Sequence, residues 1–179
     1  MSSPLIHARF RWQGDFAALT RMKILITDDE AANVALLEDM LGEAGYSRVK
    51  SIADSRRALE TCGAFGPDLL LLDLMMPHVD GFAILESLRA KDEDIFFPIV
   101  VLTADVNEES KWHALASGAT DFLVKPFDQL EVLLRIANLL ETRRLHLLLD
   151  NQVAAFEEAV RARSIELREA RSHWIEATE

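Results

Sequence analysis

The chain has a single cysteine, Cys62, in 179 residues. No internal disulfide can form, and no Cys/His cluster offers zinc a site. Cys62 alone reads as a small packing residue. Basic residues are also in deficit: 19 Lys and Arg against 30 Asp and Glu give a formal net charge of −11. So acidic a chain repels phosphate backbones, which argues against direct nucleic-acid binding. Long apolar runs are missing as well. The longest, such as Leu69 to Leu72 and Ile95 to Val101, fall far short of the ~20 residues that span a bilayer. The N-terminal stretch has no hydrophobic region of the secretory kind. A cytoplasmic protein without a membrane partner is expected.

What is present points to one compact domain and an appendage, since 50% of the residues are hydrophobic. Residues 1–21 show no periodicity. Arg9, Arg11 and Arg21 lie among Phe10, Trp12 and Phe16, a pattern open to a docking role, but the plainer reading is an upstream extension with Met22 opening the domain. From there apolar runs and helical patterns alternate. Lys23 to Thr27 is a short strand, and Val34, Leu37 and Leu41 recur at helical spacing until Gly42 and Gly45. Val49 and Ile52 mark a second strand, followed by a helix over Ala53 to Cys62. Leu69 to Asp73 is continuously apolar before its terminal acid, as in a strand buried on both faces. A helix with Phe82, Leu85 and Leu88 follows Gly81. Ile99 to Thr103 is the fourth strand, Asn107 to Ser117 a helix, Phe122 to Lys125 the fifth strand, and Asp128 a cap for the last helix.

Five strands separated by helices imply right-handed βαβ units and a doubly wound α/β fold with a five-stranded parallel sheet. In such sheets the working site lies outside the carboxyl ends of the strands. There the chain places Asp28 and Asp29, Asp73, Thr103 and Lys125. Clustered carboxylates are costly to keep ionised together without a cation, and Mg²⁺ takes hard oxygen ligands. Asp28, Asp29 and Asp73 therefore form a candidate metal site. Asp73 is also a candidate nucleophile toward phosphorus, giving an acyl phosphate. Lys125 and Thr103 can serve the phosphoryl oxygens. Singly, each residue has an ordinary alternative. Asp28 and Asp29 suit the N-terminus of a solvated helix, Asp73 a loop, Thr103 a strand end, and Lys125 a strand stop before Pro126. Their joint position at strand ends favours the site.

Five blocks carry a resemblance to the response-regulator receiver family. They are Ile24 to Asp29 (ILITDD), Leu70 to Pro77 (LLLDLMMP), Asp80-Gly81, Val101 to Ala104 (VLTA) and Gly118 to Phe127 (GATDFLVKPF). The likeness covers about Met22 to Glu141, with every block in order. It implies a flavodoxin-like receiver in which Asp73 accepts a phosphoryl group from a histidine kinase or phosphotransfer protein. It further implies Mg²⁺ held by Asp29, Asp73 and the Met75 backbone carbonyl, with Asp28 acting largely through water. Lys125 would contact the phosphoryl group, Thr103 would be the switch hydroxyl, and Phe122 the switch aromatic. Met75 and Asp105, two residues beyond Asp73 and Thr103, would set the lifetime of the phosphoryl group. The receiver reading makes the chain a signalling phosphoacceptor rather than an enzyme. A haloacid-dehalogenase-like phosphotransferase also uses a strand-end aspartate, Mg²⁺ and a lysine. It needs a second acid two residues after the nucleophile, where this chain has Met75. A non-catalytic coiled-coil scaffold would call for missing acids, and all are present.

The domains expected are thus an extension over 1–21, a receiver over 22–141, and a helical coiled coil or linker over 142–179. No proline or glycine occurs from Asp128 to Glu179, so the last helix continues beyond Glu141. Val153, Phe156, Val160, Leu167, Ala170 and Trp174 follow three- and four-residue steps, with Arg163 the polar exception. Between Leu140 and Leu149 the register slips, which implies a stutter or a break. Glu157 and Arg161 stand at helix-pairing spacing. Self-association into a homodimer is the expected use of this stripe, and folding back on the receiver is the alternative. Leu139 to Ala170 also resembles the linker that follows receivers in HD-GYP-type response regulators.

Overall fold

The computed structural model describes residues 15–90, 97–104 and 107–176, with the side chains of 108 and 169–176 left aside. Five parallel strands form one sheet in the order β2-β1-β3-β4-β5. They are β1 (Ile24–Thr27), β2 (Val49–Ile52), β3 (Leu69–Asp73), β4 (Ile99–Thr103) and β5 (Asp121–Val124). The helices are α1 (Ala31–Glu43), α2 (Ala58–Phe65), α3 (Gly81–Arg89), α4 (Glu108–Ala116) and α5 (Gln129–Glu176). The doubly wound expectation is met.

The central strands β1, β3 and β4 are buried along their whole length, whereas edge strands β2 and β5 are mostly half-buried. This explains why only the central three read as continuous apolar runs. Alternation of side chains divides the core. Leu25, Leu70, Leu72, Ile99 and Val101 cluster with Ala58 and Cys62 of α2, Ile84 and Leu85 of α3 and Ala114 of α4. Ile24, Ile26, Leu69, Leu71, Val100 and Leu102 point the other way. Also buried are Leu37, Met40 and Leu41 of α1 and Val132, Leu133, Ile136, Ala137 and Leu140 of α5.

Local chemistry sets the helix starts. Asp80 accepts from the Phe82 amide at 3.1 Å, Asn107 from Glu109 at 2.9 Å, and Asp128 from Glu131 at 2.9 Å. Two expectations shift. The helix expected from Ala53 starts later, because Asp54 caps a 3₁₀ turn, Ser55–Arg57, before α2 begins. Residues just before Met22 are not a loose extension: a helical turn, Phe16–Leu19, buries Phe16 and Leu19. Phe16 meets Tyr46 edge-on at 6.1 Å, and the Ser47 amide donates to the Thr20 carbonyl at 3.1 Å. Two apolar residues are too few for a periodicity to register. Arg9, Phe10, Arg11, Trp12 and Asp105 lie outside the described residues.

The chain divides into two compact units, Met1–Arg143 and Arg144–Glu179. Helix α5 runs 48 residues without interruption, so the register slip between Leu140 and Leu149 is not a break. In the second unit Val153, Phe156, Val160 and Leu167 are exposed, and Arg163 pairs with Glu166 at 2.7 Å. Among the described residues no helix is long and apolar enough to cross a membrane.

Candidate functional site

Strand register brings the site together. Thr27 of β1 is level with Leu72 of β3, so Asp28 comes level with Asp73 as the two strands end. Asp73 is in turn level with Leu102, and Thr103 with Val124, the residue before Lys125. The Lys125 amide donates to the Thr103 carbonyl at 2.8 Å, which ties these two strand ends directly. Parallel pairing thus converts four distant stretches of sequence into one rim.

On that rim Asp28 is fully buried, Asp73 is buried and Asp29 is exposed. The three acids can place one carboxylate oxygen each within 4.8 Å of one another. Lys125 Nζ bridges two of them, 2.9 Å from Asp28 Oδ2 and 3.0 Å from Asp73 Oδ2. Asp28 Oδ1 also accepts from the Glu30 amide at 2.9 Å. Burial pushes the Asp73 carboxyl above its ordinary range; Lys125 and the Met75 amide pull it down, and the Asp28 charge adds to the rise. For Lys125 burial works against the ammonium, but Asp28 and Asp73 outweigh it and hold the group above its usual value. One ammonium among three carboxylates leaves negative charge in excess. An all-oxygen donor set with surplus negative charge fits a hard cation, so these acids can hold a metal ion.

The other expected residues fall around this group. Met75 donates its amide to Asp73 Oδ1 at 3.3 Å and exposes its side chain. It lines an open depression with Asp29, Glu30, Asp73, Ala104 and Lys125. Thr103 is buried at the end of β4. Phe122, half-buried on β5, has the Lys111 ammonium 5.1 Å and the Arg135 guanidinium 6.0 Å from its ring centre. Arg135 itself is paired with Asp121 at 2.7 Å and Glu131 at 2.8 Å.

Two site residues escaped the sequence reading. Asn33 Nδ2 donates to Asp28 Oδ2 at 3.2 Å and to Glu30 Oε2 at 2.9 Å. Its position one helical turn past the acids was the available signal. Ser55, in the 3₁₀ turn just before α2, hydrogen-bonds to Pro77 and Val79 of the β3–α3 loop, and nothing local in the sequence announces that.

The family model for the response regulator receiver domain matches residues 24–137. The alkaline phosphatase synthesis transcriptional regulatory protein PhoP of Bacillus subtilis is 39% identical over 118 residues, 66% of this chain and 48% of that protein. Response regulator PleD of Caulobacter vibrioides is 38% identical over 117 residues, 65% of this chain but 26% of that one. The chain therefore spans half or less of the length of these relatives. Among solved structures, the receiver domain of the Francisella response regulator 1452 matches with a TM-score of 0.63 at 29% identity, covering 68% of this chain and 98% of that one. The Vibrio cholerae chemotaxis protein CheY4 matches with a TM-score of 0.59 at 34% identity, covering 65% and 98%. A flavodoxin-like sheet with three acids and a lysine at its carboxyl end, matched across most of its length by these proteins, places the chain in the response-regulator receiver family.

Proposed function

We propose that this chain is the phosphoacceptor of a two-component relay, taking a phosphoryl group on Asp73 from a sensor histidine kinase or phosphotransfer protein. The observation that carries this reading is Lys125 Nζ at 2.9 Å from Asp28 and 3.0 Å from Asp73 within a group of three strand-end carboxylates. In the transfer an Asp73 oxygen attacks phosphorus in line. The P–N bond of the donor phosphohistidine, whose other ring nitrogen carries a proton, breaks, and its electron pair returns to the imidazole, which leaves as the neutral ring. Asp29, Asp73 and the Met75 backbone carbonyl would hold Mg²⁺, with Asp28 beside them, and the ion would supply charge neutralisation for the transferring group. Asp28 suits an indirect, water-mediated part, since its oxygens already serve the Glu30 amide and Lys125.

After transfer the Lys125 ammonium passes from Asp73 to a phosphoryl oxygen, and the Thr103 hydroxyl bonds another. Thr103 and Phe122 then act as the switch pair, shifting an existing equilibrium between two surfaces of β4, α4 and β5. Met75, in the position where a dehalogenase-type enzyme needs its second acid, favours a phosphoacceptor over a phosphotransferase. The helical unit from Arg144 pairs with a second copy of the chain. In support, Phe156 is 70% and Leu167 59% exposed on its apolar stripe, an arrangement that water disfavours.

The test is incubation with Mg²⁺ and acetyl phosphate followed by intact mass. One added, hydroxylamine-labile phosphoryl group is expected on the wild-type chain and none on Asp73→Asn. Labelling of Asp73→Asn at the wild-type rate would refute the assignment.

A further inference from the structure

The loop from β3 to α3 holds a strained residue. His78 has φ +74° and is the one non-glycine residue with positive φ among the described residues. The Val79 amide donates across it to the Pro77 carbonyl at 3.0 Å. That bond and that φ define the left-handed kind of γ-turn, which is rare and costly for a residue with a β-carbon. Such strain persists where the surroundings over-determine the backbone.

The surrounding group is Ser55. It sits in the 3₁₀ turn after β2 and is 3% exposed. Its Oγ donates to the Pro77 carbonyl at 2.6 Å and accepts from the Val79 amide at 3.1 Å. One hydroxyl therefore closes both arms of the turn at His78 and uses its proton and a lone pair to do so. The loop is also fastened at α3, where the Gly81 amide donates to the Leu74 carbonyl at 3.1 Å. Met75 lies between Asp73 and this fastened turn, with its amide on Asp73 Oδ1 at 3.3 Å.

We infer that Ser55 is a positioning residue for the acidic site: by clamping the γ-turn at His78 it fixes the path of the β3–α3 loop and so the place of the Met75 backbone beside Asp73. The inference rests on the metal-dependent receiver chemistry proposed above, and it deepens that reading by naming the residue that holds the loop. It also explains how the loop keeps histidine rather than glycine at a left-handed position: the clamp bears the strain.

The experiment uses the full chain with two readouts, Mg²⁺ affinity by calorimetry and, without Mg²⁺, hydrogen exchange of the Val79 and Met75 amides by NMR. Ser55→Ala should weaken Mg²⁺ binding by about tenfold, the usual effect of losing a partner that orients a ligand, and should speed exchange at Val79. His78→Gly removes the strain, so Ser55→Ala/His78→Gly should recover most of the lost affinity. A residue that merely contributes a buried hydrogen bond would not show that rescue. Affinity within about twofold of wild type in Ser55→Ala, well below that expected loss, overturns the inference, and so does a double variant no better than the single one. If the wild-type chain binds no Mg²⁺, the receiver chemistry fails by itself, and Val79 exchange decides the clamp: unchanged exchange in Ser55→Ala overturns it. Should Ser55→Ala not fold, Ser55→Cys, similar in shape but a weak donor, carries the same comparisons.

Discussion

Gly81 leaves no room for a β-carbon against Asp73: one built there overlaps the Asp73 carbonyl oxygen and comes within 2.7 Å of the Leu74 Cα. Both neighbours are backbone, so neither can swing aside. The first residue of α3 is thereby pressed onto the end of β3, beside the acid that carries the proposed chemistry. Gly81→Ala should cost about 1–3 kcal/mol, the usual range for overpacking a tight site. Because the displaced atoms include the Asp73 carbonyl, phosphorylation by acetyl phosphate should also slow. Denaturant unfolding and intact mass measure the two effects. A variant with wild-type stability would show that the backbone here can yield.

Arg89, at the end of α3, ties that helix to the residues just before β4 and just before β5. Its Nε donates to the Gly118 carbonyl at 2.7 Å, Nη1 to the Phe97 carbonyl at 2.9 Å and Nη2 to Thr120 Oγ1 at 3.3 Å. Arg89→Ala should destabilise by about 1–3 kcal/mol, since it strips part-buried carbonyls of a charged donor. Arg89→Lys should recover only part of this, because an ammonium cannot reproduce the planar fork. Urea titration of the three proteins provides the check, and equal stability of the lysine variant and wild type would count against the fork.

Burial within the α2 face of the core pushes the Cys62 thiol from 9.0 up to about 11. The folded form thus holds its proton more tightly than the unfolded chain. The stability this contributes is fully present below pH 9.0 and is lost as pH rises toward about 11. Between those values the wild-type protein should lose stability faster than Cys62→Ala. Urea midpoints of both at several alkaline pH values test this, and parallel curves would contradict it. Tyr46, also raised by burial, is common to both proteins and cancels in the comparison.

Arg143 lies 3.9 Å from Asp68 and closes the first compact unit. Truncation after Arg143 should therefore leave a folded receiver. If the helix beyond it pairs two copies, the unphosphorylated full chain sediments as a dimer and the truncation as a monomer. Burying the stripe of Val153, Phe156, Val160 and Leu167 supplies the driving force, at about 25 cal/mol per Å² of apolar surface. A monomeric full chain at tens of micromolar would remove the coiled-coil proposal, whereas a dimeric truncation would move the interface to the receiver.

The acids of the candidate site, the lysine and the five parallel strands were legible in the sequence for one reason. Each stands directly after a short apolar run, and parallel strands place every such position at the same end of the sheet. The run Leu69 to Leu72 could not be anything but buried, and the lack of proline and glycine beyond Asp128 left the last helix no stopping point. Tertiary structure decided what local pattern cannot encode. Phe16 and Leu19 are buried although their own stretch has no period, with Tyr46 set against the Phe16 ring. Ser55, Arg89 and Gly81 acquired their importance from backbone groups that folding brought beside them. A hydroxyl, a guanidinium or a bare Cα has no partner signature along the chain, since its partners are carbonyls and amides that every residue possesses. Sequence alone therefore picked out the charged groups of the candidate site, while only the folded chain revealed the contacts to backbone groups around them.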